Sequence, residues 1–191
     1  KKPFKSRNLL LRVNHKGDIM AVVTLPDTVN ARQQRFGLEG VASVGSGTDE
    51  KVYVAFQREW SNDPDGRVRI GRYDTATGEW AFYHYPLSEL AYLGNDEFAV
   101  IERDNQGGPD AVIKRIYRFS VAGVTPGVDT GSDVSSFPLL GKTLAHDLIP
   151  ELKATGGLVL EKVEGMAVSR EGDTWVVTDN DGVDDSNGET R

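Results

Sequence analysis

Short apolar runs separated by turn residues make up most of this chain. In some runs apolar and polar side chains alternate, and in others apolar residues follow one another without a break. Residues that favour turns stand between the runs, as in 14–18, 64–66 and 75–78. Alternation of apolar and polar residues, interrupted by turn residues, is typical of antiparallel strands joined in a meander. The predicted strands span 8–13, 19–25, 40–44, 52–58, 68–73, 80–85, 89–93, 97–103, 114–121, 165–169 and 174–178.

These predicted strands fall into repeated groups. Four of them lie between residues 38 and 86, about the length of one propeller blade of roughly 40 to 50 residues. A similar series begins at Glu89, and a third begins at Glu164, where Glu-Gly-Met-Ala matches Glu-Gly-Val-Ala at Glu39. The shared order of motif, turn and apolar strand predicts an all-β β-propeller, with about three to four blades in this chain.

So few blades cannot close a ring, because the open end would leave strand edges unpaired. We therefore expect residues 1–191 to be an incomplete portion of a single propeller domain, with the missing blades in the rest of a longer protein. A two-sheet sandwich is the structural alternative, since short strands with frequent turns also describe that class.

The strand period is interrupted between the second and third copies. Residues 122–136 are rich in Gly, Ser, Thr, Asp and Val and are predicted to form a loop. Apolar residues at 144, 148, 149 and 152 then follow a helical spacing that is broken by Pro150. We predict a short helical insert over 142–152, as an excursion from a blade.

Composition narrows the classes of function. The 191 residues carry a net charge of −7 and include no cysteine, which excludes disulfides, thiolate nucleophiles and cysteine-based zinc sites. No Lys/Arg run exceeds a dipeptide, so charge alone disfavours a nucleic-acid partner. No apolar run reaches the roughly 20 residues of a membrane-spanning helix. The excess of carboxylates suits a cation site, although most acids are expected on the surface.

Acidic residues recur at corresponding places in the three copies. The first strand of each propeller blade lines the central channel, so the glutamates that open the copies are expected to face it. The second strand of each copy ends in a further polar group, at 57–59, 102–105 and 179–181. Calcium prefers such hard oxygen ligands. The alternative is that these groups are turns, where Asp, Asn and Gly are favoured for local reasons. The candidate ligands are Glu39, Glu89, Glu102, Glu164 and Asp179, with Asp104 and Asp181 as ligands or bases.

Histidine offers fewer candidates, and no Gly-x-Ser-x-Gly motif of a nucleophilic triad occurs. His15 lies in a predicted hairpin turn and His84 on a predicted outer strand, so both are expected to be structural or solvated. His146, followed by Asp147 in the predicted helix, is a candidate general base, with a capping or packing role as the alternative. The basic residues of the predicted third strands are expected to be mostly edge and surface charges: Arg69, Arg72, Lys114, Arg115 and Arg118.

Several segments resemble one bacterial family. They include Phe-Gly-Leu-Glu-Gly-Val-Ala at 36–42, Phe-Ala-Val-Ile-Glu-Arg-Asp-Asn at 98–105 and Thr-Asp-Asn-Asp-Gly at 178–182, together with 70–74, 88–93, 114–119 and 163–167. These segments are similar to phytase-like proteins with an esterase-like activity of phytase, and the resemblance spans almost the whole chain. It implies a secreted or periplasmic β-propeller. The Glu-Gly motif is also similar to one that supplies a calcium ligand in gluconolactonase-like and strictosidine-synthase-like propellers.

The resemblance implies a hydrolase acting on small-molecule esters or phosphate esters. A divalent cation, calcium in this expectation, would polarise the ester oxygen and activate water. Glu39, Glu164 and Asp179 would hold it, and Asp104 or Asp181 would be a ligand or base. One alternative is a non-catalytic, calcium-stabilised propeller that binds a protein or a saccharide. Another is a lactonase-like calcium propeller.

Overall fold

The computed structural model describes residues 7–34, 37–85, 90–131, 133–154, 159 and 162–179. They form mainly strands with two short α-helices, α1 (Asp27–Asn30) and α2 (Ile149–Ala154). None of the helices in these ranges is long and apolar enough to cross a membrane. The strands are β1 (Leu9–Val13), β2 (Ile19–Thr24), β3 (Leu38–Val44), β4 (Lys51–Phe56), β5 (Val68–Asp74), β6 (Trp80–Tyr85), β7 (Ala91–Gly94), β8 (Glu97–Arg103), β9 (Lys114–Ser120), β10 (Thr143–Asp147), β11 (Lys162–Val168) and β12 (Thr174–Asp179).

The strands form four antiparallel sheets, which confirms the all-β prediction. Strands β3 to β6 form one four-stranded sheet in sequence order, as the first predicted repeat requires. Strands β7 to β10 form a second one, also in sequence order. The hairpins β1–β2 and β11–β12 are separate two-stranded sheets. The chain divides into two compact units: residues 1–39, 43–87 and 125–139 in the first, and 40–42, 88–124 and 140–191 in the second.

The first unit is built around the β4–β6 strands. Every residue of β6 and the last four of β4 are buried, which explains why these stretches are continuous apolar runs rather than alternating ones. Aromatic rings pack edge to face and in stacks across the core, with Phe56 4.8 Å from Trp60 and Phe82 5.8 Å from Phe137 between ring centroids. The buried cluster consists of Leu25, Val29, Val54, Phe56, Trp60, Trp80, Phe82, Val134 and Phe137.

The predicted loop at 122–136 forms no strand among its described residues, yet part of it is anchored against the first sheet. Gly127 exchanges two backbone hydrogen bonds with Phe82, at 2.7 and 2.8 Å, and the N–H of His84 donates to the carbonyl of Pro138 at 2.9 Å. A Cβ atom at Gly127 would lie 2.4 Å from the ring of Phe137. Glycine at 127 therefore lets this segment, residues 125–139, lie directly along β6.

Arg69 corrects the prediction that the third-strand basic residues lie mainly at edges and on the surface. Its side chain is fully buried in the first unit. The Nε atom donates to Asp63 at 2.8 Å, Nη1 to Asp129 at 2.8 Å and Nη2 to the amide oxygen of Asn62 at 2.9 Å. His84 is buried as well and contacts Asp63 through Nε2 at 3.3 Å. A buried guanidinium with two carboxylates thus holds residue 129 onto β5.

Lys114 in the second unit is a second correction of the same kind. Its side chain is fully buried at the start of β9. The Nζ atom donates to Asp104 Oδ1 at 2.6 Å and to the backbone carbonyls of Asp104 and Gln106, both at 2.9 Å. The ammonium group therefore ties the end of the β8 chain segment to β9.

Strand β10 corrects the prediction of a helix over 142–152. Residues 143–147 pair with β9 as the fourth strand of the second sheet, and only the part from Ile149 onward is helical. The apolar spacing at 144, 148 and 149 spans the junction of a strand and a helix. A pairing partner that lies distant in sequence decided the conformation here, which a local period cannot reveal.

Candidate functional site

A pocket of about 540 Å³ opens in the second unit and is lined by the β7–β10 sheet and the β11–β12 hairpin. Its volume lies within the range of small-molecule sites, roughly 300 to 1,000 Å³. Both apolar and basic side chains line it, together with one histidine. The lining residues are Leu93, Ala99, Ile116, Arg118, Ala145, His146, Leu148, Val168, Ser169, Arg170, Gly172, Thr174 and Val176.

A β-bulge aims His146 into this pocket. In β10, Thr143 pairs with Arg118 and His146 pairs with Ile116, while the register shifts between Leu144 and His146. Paired residues of antiparallel strands share a face, so Thr143 and His146 lie on the same face as Ile116 and Arg118. In a regular strand, residues 143 and 146 would point to opposite faces. The extra residue in the bulge is what re-aims the imidazole.

Helix α2 supplies a carboxylate to that imidazole. His146 Nε2 lies 3.1 Å from Oε1 of Glu151, which is in the first turn of α2. The histidine is half-exposed at the pocket, with 51% of its side chain accessible. A carboxylate on one ring nitrogen orients the ring and leaves Nδ1 for a proton transfer.

Asp147 fixes the position of α2 relative to His146. Its Oδ1 accepts the N–H of Ile149 at 3.1 Å, and its Oδ2 accepts Nε of Arg115 at 3.0 Å. Burial raises the pKa of Asp147, but the N–H of Ile149 and the guanidinium of Arg115 outweigh it and hold that pKa below its ordinary value. Asp147 is thus a fixed anion that starts the helix carrying Glu151.

The two arginines that line the pocket differ in whether a carboxylate is paired with them. Arg118 Nη2 is bound by Oε2 of Glu97 at 2.5 Å. Arg170 is exposed in the β11–β12 turn, and no carboxylate pairs with it among the described residues. Ser169 precedes it, and its Oγ accepts the backbone N–H groups of Glu171 and Asp173. Arg170 is therefore the cation with the most freedom to meet a ligand, whereas the Ser169 oxygen is occupied in the turn.

Two of the predicted metal ligands are engaged in ion pairs. Glu102 Oε1 lies 2.5 Å from Nζ of Lys142. Glu164 Oε1 lies 2.6 Å from Nη2 of Arg103, and Glu164 occupies a register shift in β11. Each carboxylate therefore has a protein cation where the prediction placed calcium.

Asp104, the predicted ligand or base, is held still more firmly. Burial raises its pKa, yet Lys114 and the N–H groups of Val112, Ile113 and Gln106 lower it further, to about 2. A carboxylate with so low a pKa is a weak proton acceptor near neutral pH. Its position in the structure is that of a loop anchor between β8 and β9.

The remaining predicted site residues lie on β12, on β3 or outside the described residues. Asp179 is exposed at the end of β12 opposite Lys162, and Glu39 is exposed on β3. Glu89 and Asp181 lie outside the described residues. Within the ranges described, no three His, Asp or Glu side chains are grouped to hold a metal ion. Protein cations pair with Glu102 and Glu164, so no chemical step is assigned to a metal, and calcium stays a prediction.

The sequence patterns missed two residues of the candidate site: Arg170, which lines the pocket, and Glu151, which contacts His146. The signal for Glu151 was present, because Asp147 followed by Pro150 is a helix start, with an acceptor before the helix and proline in its first turn. A helix that starts after Asp147 implies that the preceding strand ends at 147. It also implies that Glu151 lies about one helical turn from His146. Nothing in the local sequence identifies Arg170.

The glycine of the repeated Glu-Gly motif has a steric role at Gly40. A Cβ atom there would lie 2.6 Å from the backbone N and 2.9 Å from Cβ of Leu90. At Gly165 the nearest atom is the tip of a side chain, Cγ1 of Val177 at 2.7 Å, which can turn away.

We therefore expect Gly40→Ala to lower the free energy of unfolding by about 1 to 3 kcal/mol, as overpacking against backbone does. Gly165→Ala is the matched control and should cost less, because Val177 can change rotamer. Urea unfolding of the two variants measures both values. Equal losses at the two positions would contradict the steric reading of Gly40.

Comparison with known proteins adds the family. Residues 4–182 match the phytase-like family model, described as esterase-like activity of phytase. Comparisons with curated proteins and with solved structures returned no match. The match includes both four-stranded sheets, the pocket and its His146–Glu151 pair. The chain belongs to the phytase-like family.

Proposed function

We propose that the pocket of the second unit hydrolyses an ester bond in a small molecule, with His146 as the general base. The observation that carries this proposal is the 3.1 Å contact between His146 Nε2 and Glu151 Oε1 at the edge of a pocket of about 540 Å³. Membership of a family described by an esterase-like activity supports the same reaction class. The bulge in β10 supports it too, since bulges often re-aim side chains beside active sites.

The chemistry follows from the roles that these side chains can take. Neutral His146 accepts a proton from water at Nδ1, while Glu151 stabilises the imidazolium that forms. The water oxygen bonds to the ester centre, the bond to the leaving oxygen breaks, and His146 returns its proton to that oxygen. The products are one acid and one alcohol.

The remaining parts of the proposal rest on the repeats and on the family. Each four-stranded sheet is one blade of a β-propeller, and further blades belong to the rest of the protein. Secretion or a periplasmic location is proposed from the family alone. Calcium is retained as a stabilising ligand only, with its support in the Glu-Gly motif and in Glu89 and Asp181, both outside the described residues.

The test is a screen of 4-nitrophenyl esters and 4-nitrophenyl phosphate with the full chain, in calcium and in EDTA. We expect turnover of at least one substrate in both buffers, and a loss of about a hundredfold in kcat for His146→Ala, the scale of general-base catalysis. His15→Ala, in the exposed turn of the β1–β2 hairpin, is the matched control and should retain full activity.

Two outcomes would contradict the proposal. Equal rates for His146→Ala and the parent chain would exclude His146 as the base. No turnover of any ester, with a higher melting temperature in calcium, would favour the non-catalytic propeller that binds a protein or a saccharide.

A further inference from the structure

The pocket is apolar over most of its surface, and this bears on the substrate. Leu93, Ile116, Leu148, Val168 and Val176 all line it, together with two alanines. Ile116 is buried with 8% of its surface accessible, and Val176 is 37% exposed. Apolar walls favour apolar ligand groups, and they penalise a charged group that loses its water there.

The charged side chains around the pocket can neutralise little negative charge on a bound ligand. Arg118 is already paired with Glu97, and Glu151 adds a carboxylate beside His146. Arg170 remains as one exposed cation without a carboxylate partner in the described part of the chain. Sites for phosphate monoesters combine several donors, typically bidentate arginines, lysines or a metal ion, because a dianion must be neutralised. Arg170 alone can neutralise a single negative charge on the substrate.

We infer, on the basis of the proposed function, that the substrate is a carboxylic ester with an apolar acyl group and no more than one negative charge. The acyl chain lies against Leu148, Val168 and Val176, and a single anionic group, where present, meets Arg170. Phosphate monoesters and inositol polyphosphates are poor ligands because, among the described residues, the lining is mostly apolar and carries one arginine without a carboxylate partner. The walls of the pocket thus select an acyl ester within a family whose description also names phytase.

The experiment compares kcat/KM for 4-nitrophenyl butyrate, mono-4-nitrophenyl succinate and 4-nitrophenyl phosphate, and phosphate release from phytate. We expect the two acyl esters to exceed both phosphate substrates by at least about tenfold, which is about 1.4 kcal/mol. Val176→Thr keeps the side-chain shape but adds a hydroxyl to the wall. It should raise KM for butyrate several-fold with little change in kcat, as a loss of uniform binding does. Arg170→Met should raise KM for the succinate ester more than for butyrate.

The outcomes separate the inference from the proposed function. A preference for 4-nitrophenyl phosphate or phytate that is lost in His146→Ala would overturn the acyl-ester assignment and leave His146 as the base. A KM for butyrate that Val176→Thr leaves unchanged, together with a KM for the succinate ester that Arg170→Met leaves unchanged, would show that the esters bind elsewhere and would also overturn the inference. No turnover of any of the four substrates would overturn the proposed function itself.

Discussion

Replacing Asp129 by alanine should lower the free energy of unfolding of the first unit by about 3 kcal/mol, because a buried charged donor of Arg69 loses its acceptor. Asp129 Oδ2 accepts Nη1 of Arg69 at 2.8 Å, and both side chains are fully buried. The guanidinium also lies 5.4 to 5.6 Å from the ring centroids of Trp60, Phe82 and Phe137. In the variant it keeps Asp63 but loses one of two carboxylates in a site from which water is excluded. Chemical denaturation followed by tryptophan fluorescence measures the loss.

Asp133→Ala is the matched control for that measurement. Asp133 lies in the same 125–139 segment, but its carboxylate is exposed and accepts hydrogen bonds from the backbone N–H and the side chain of its neighbour Ser135. Its replacement should cost less than about 1 kcal/mol, as surface changes do. Similar losses for the two variants would mean that the segment is held by its local turns rather than by Arg69.

Replacing Lys114 by methionine should cost about 3 kcal/mol, because the two carbonyls and the carboxylate that it binds lose their common donor. Methionine has a similar length and fills the buried space, so the loss reports the charge and the hydrogen bonds. Arg118→Met on the same strand is the control, since its pair with Glu97 is half-exposed and exposed pairs contribute less than about 1 kcal/mol.

The effect of Lys114→Met should also depend on pH. The folded-state pKa of Asp104 is lowered from 3.8 to about 2, against burial, by Lys114 and three backbone N–H groups. A carboxyl group whose pKa is lowered on folding stabilises the fold fully when the pH is above its pKa in the unfolded state. That stabilisation is lost as the pH falls through its pKa in the folded state. The difference between the parent chain and the variant should therefore narrow between about pH 4 and pH 2. A constant difference across this window would mean that Lys114 acts through the carbonyls alone.

Much of the fold was predictable because it depends on local patterns. The period of two and the turn residues placed β4 to β9 within a few residues of their observed ends. Strand β10 was missed because Leu144 and Leu148 fit a helical spacing, while the pairing with β9 joins residues far apart in sequence. The buried state of Arg69 was missed for a related reason. Its partners Asp63 and Asp129 stand on either side of it in the chain, and Asp129 is brought to it only by tertiary folding.

The candidate site was less predictable than the fold. The repeats pointed to glutamates and aspartates, and the structure pairs Glu102 and Glu164 with Lys142 and Arg103. An acid in a repeated motif looks the same in sequence whether a metal or a basic side chain meets it. His146 was identified only as a lone histidine beside an aspartate, since the bulge that turns it toward the pocket depends on the register between β9 and β10.

Arg69 also matters for the outer edge of β6, because the segment that it anchors covers this edge. Strand β6 reads Trp-Ala-Phe-Tyr-His-Tyr, without the lysine, acid or proline by which natural edge strands prevent pairing between molecules. The hydrogen bonds of Phe82 and His84 on that edge are taken by Gly127 and Pro138. Gly127 and Pro138 thus cover an aromatic edge whose sequence favours strand pairing between molecules. The contact between Arg69 and Asp129 anchors the segment that contains Gly127 and Pro138, so we expect its loss to expose the edge of β6 and to promote association between molecules.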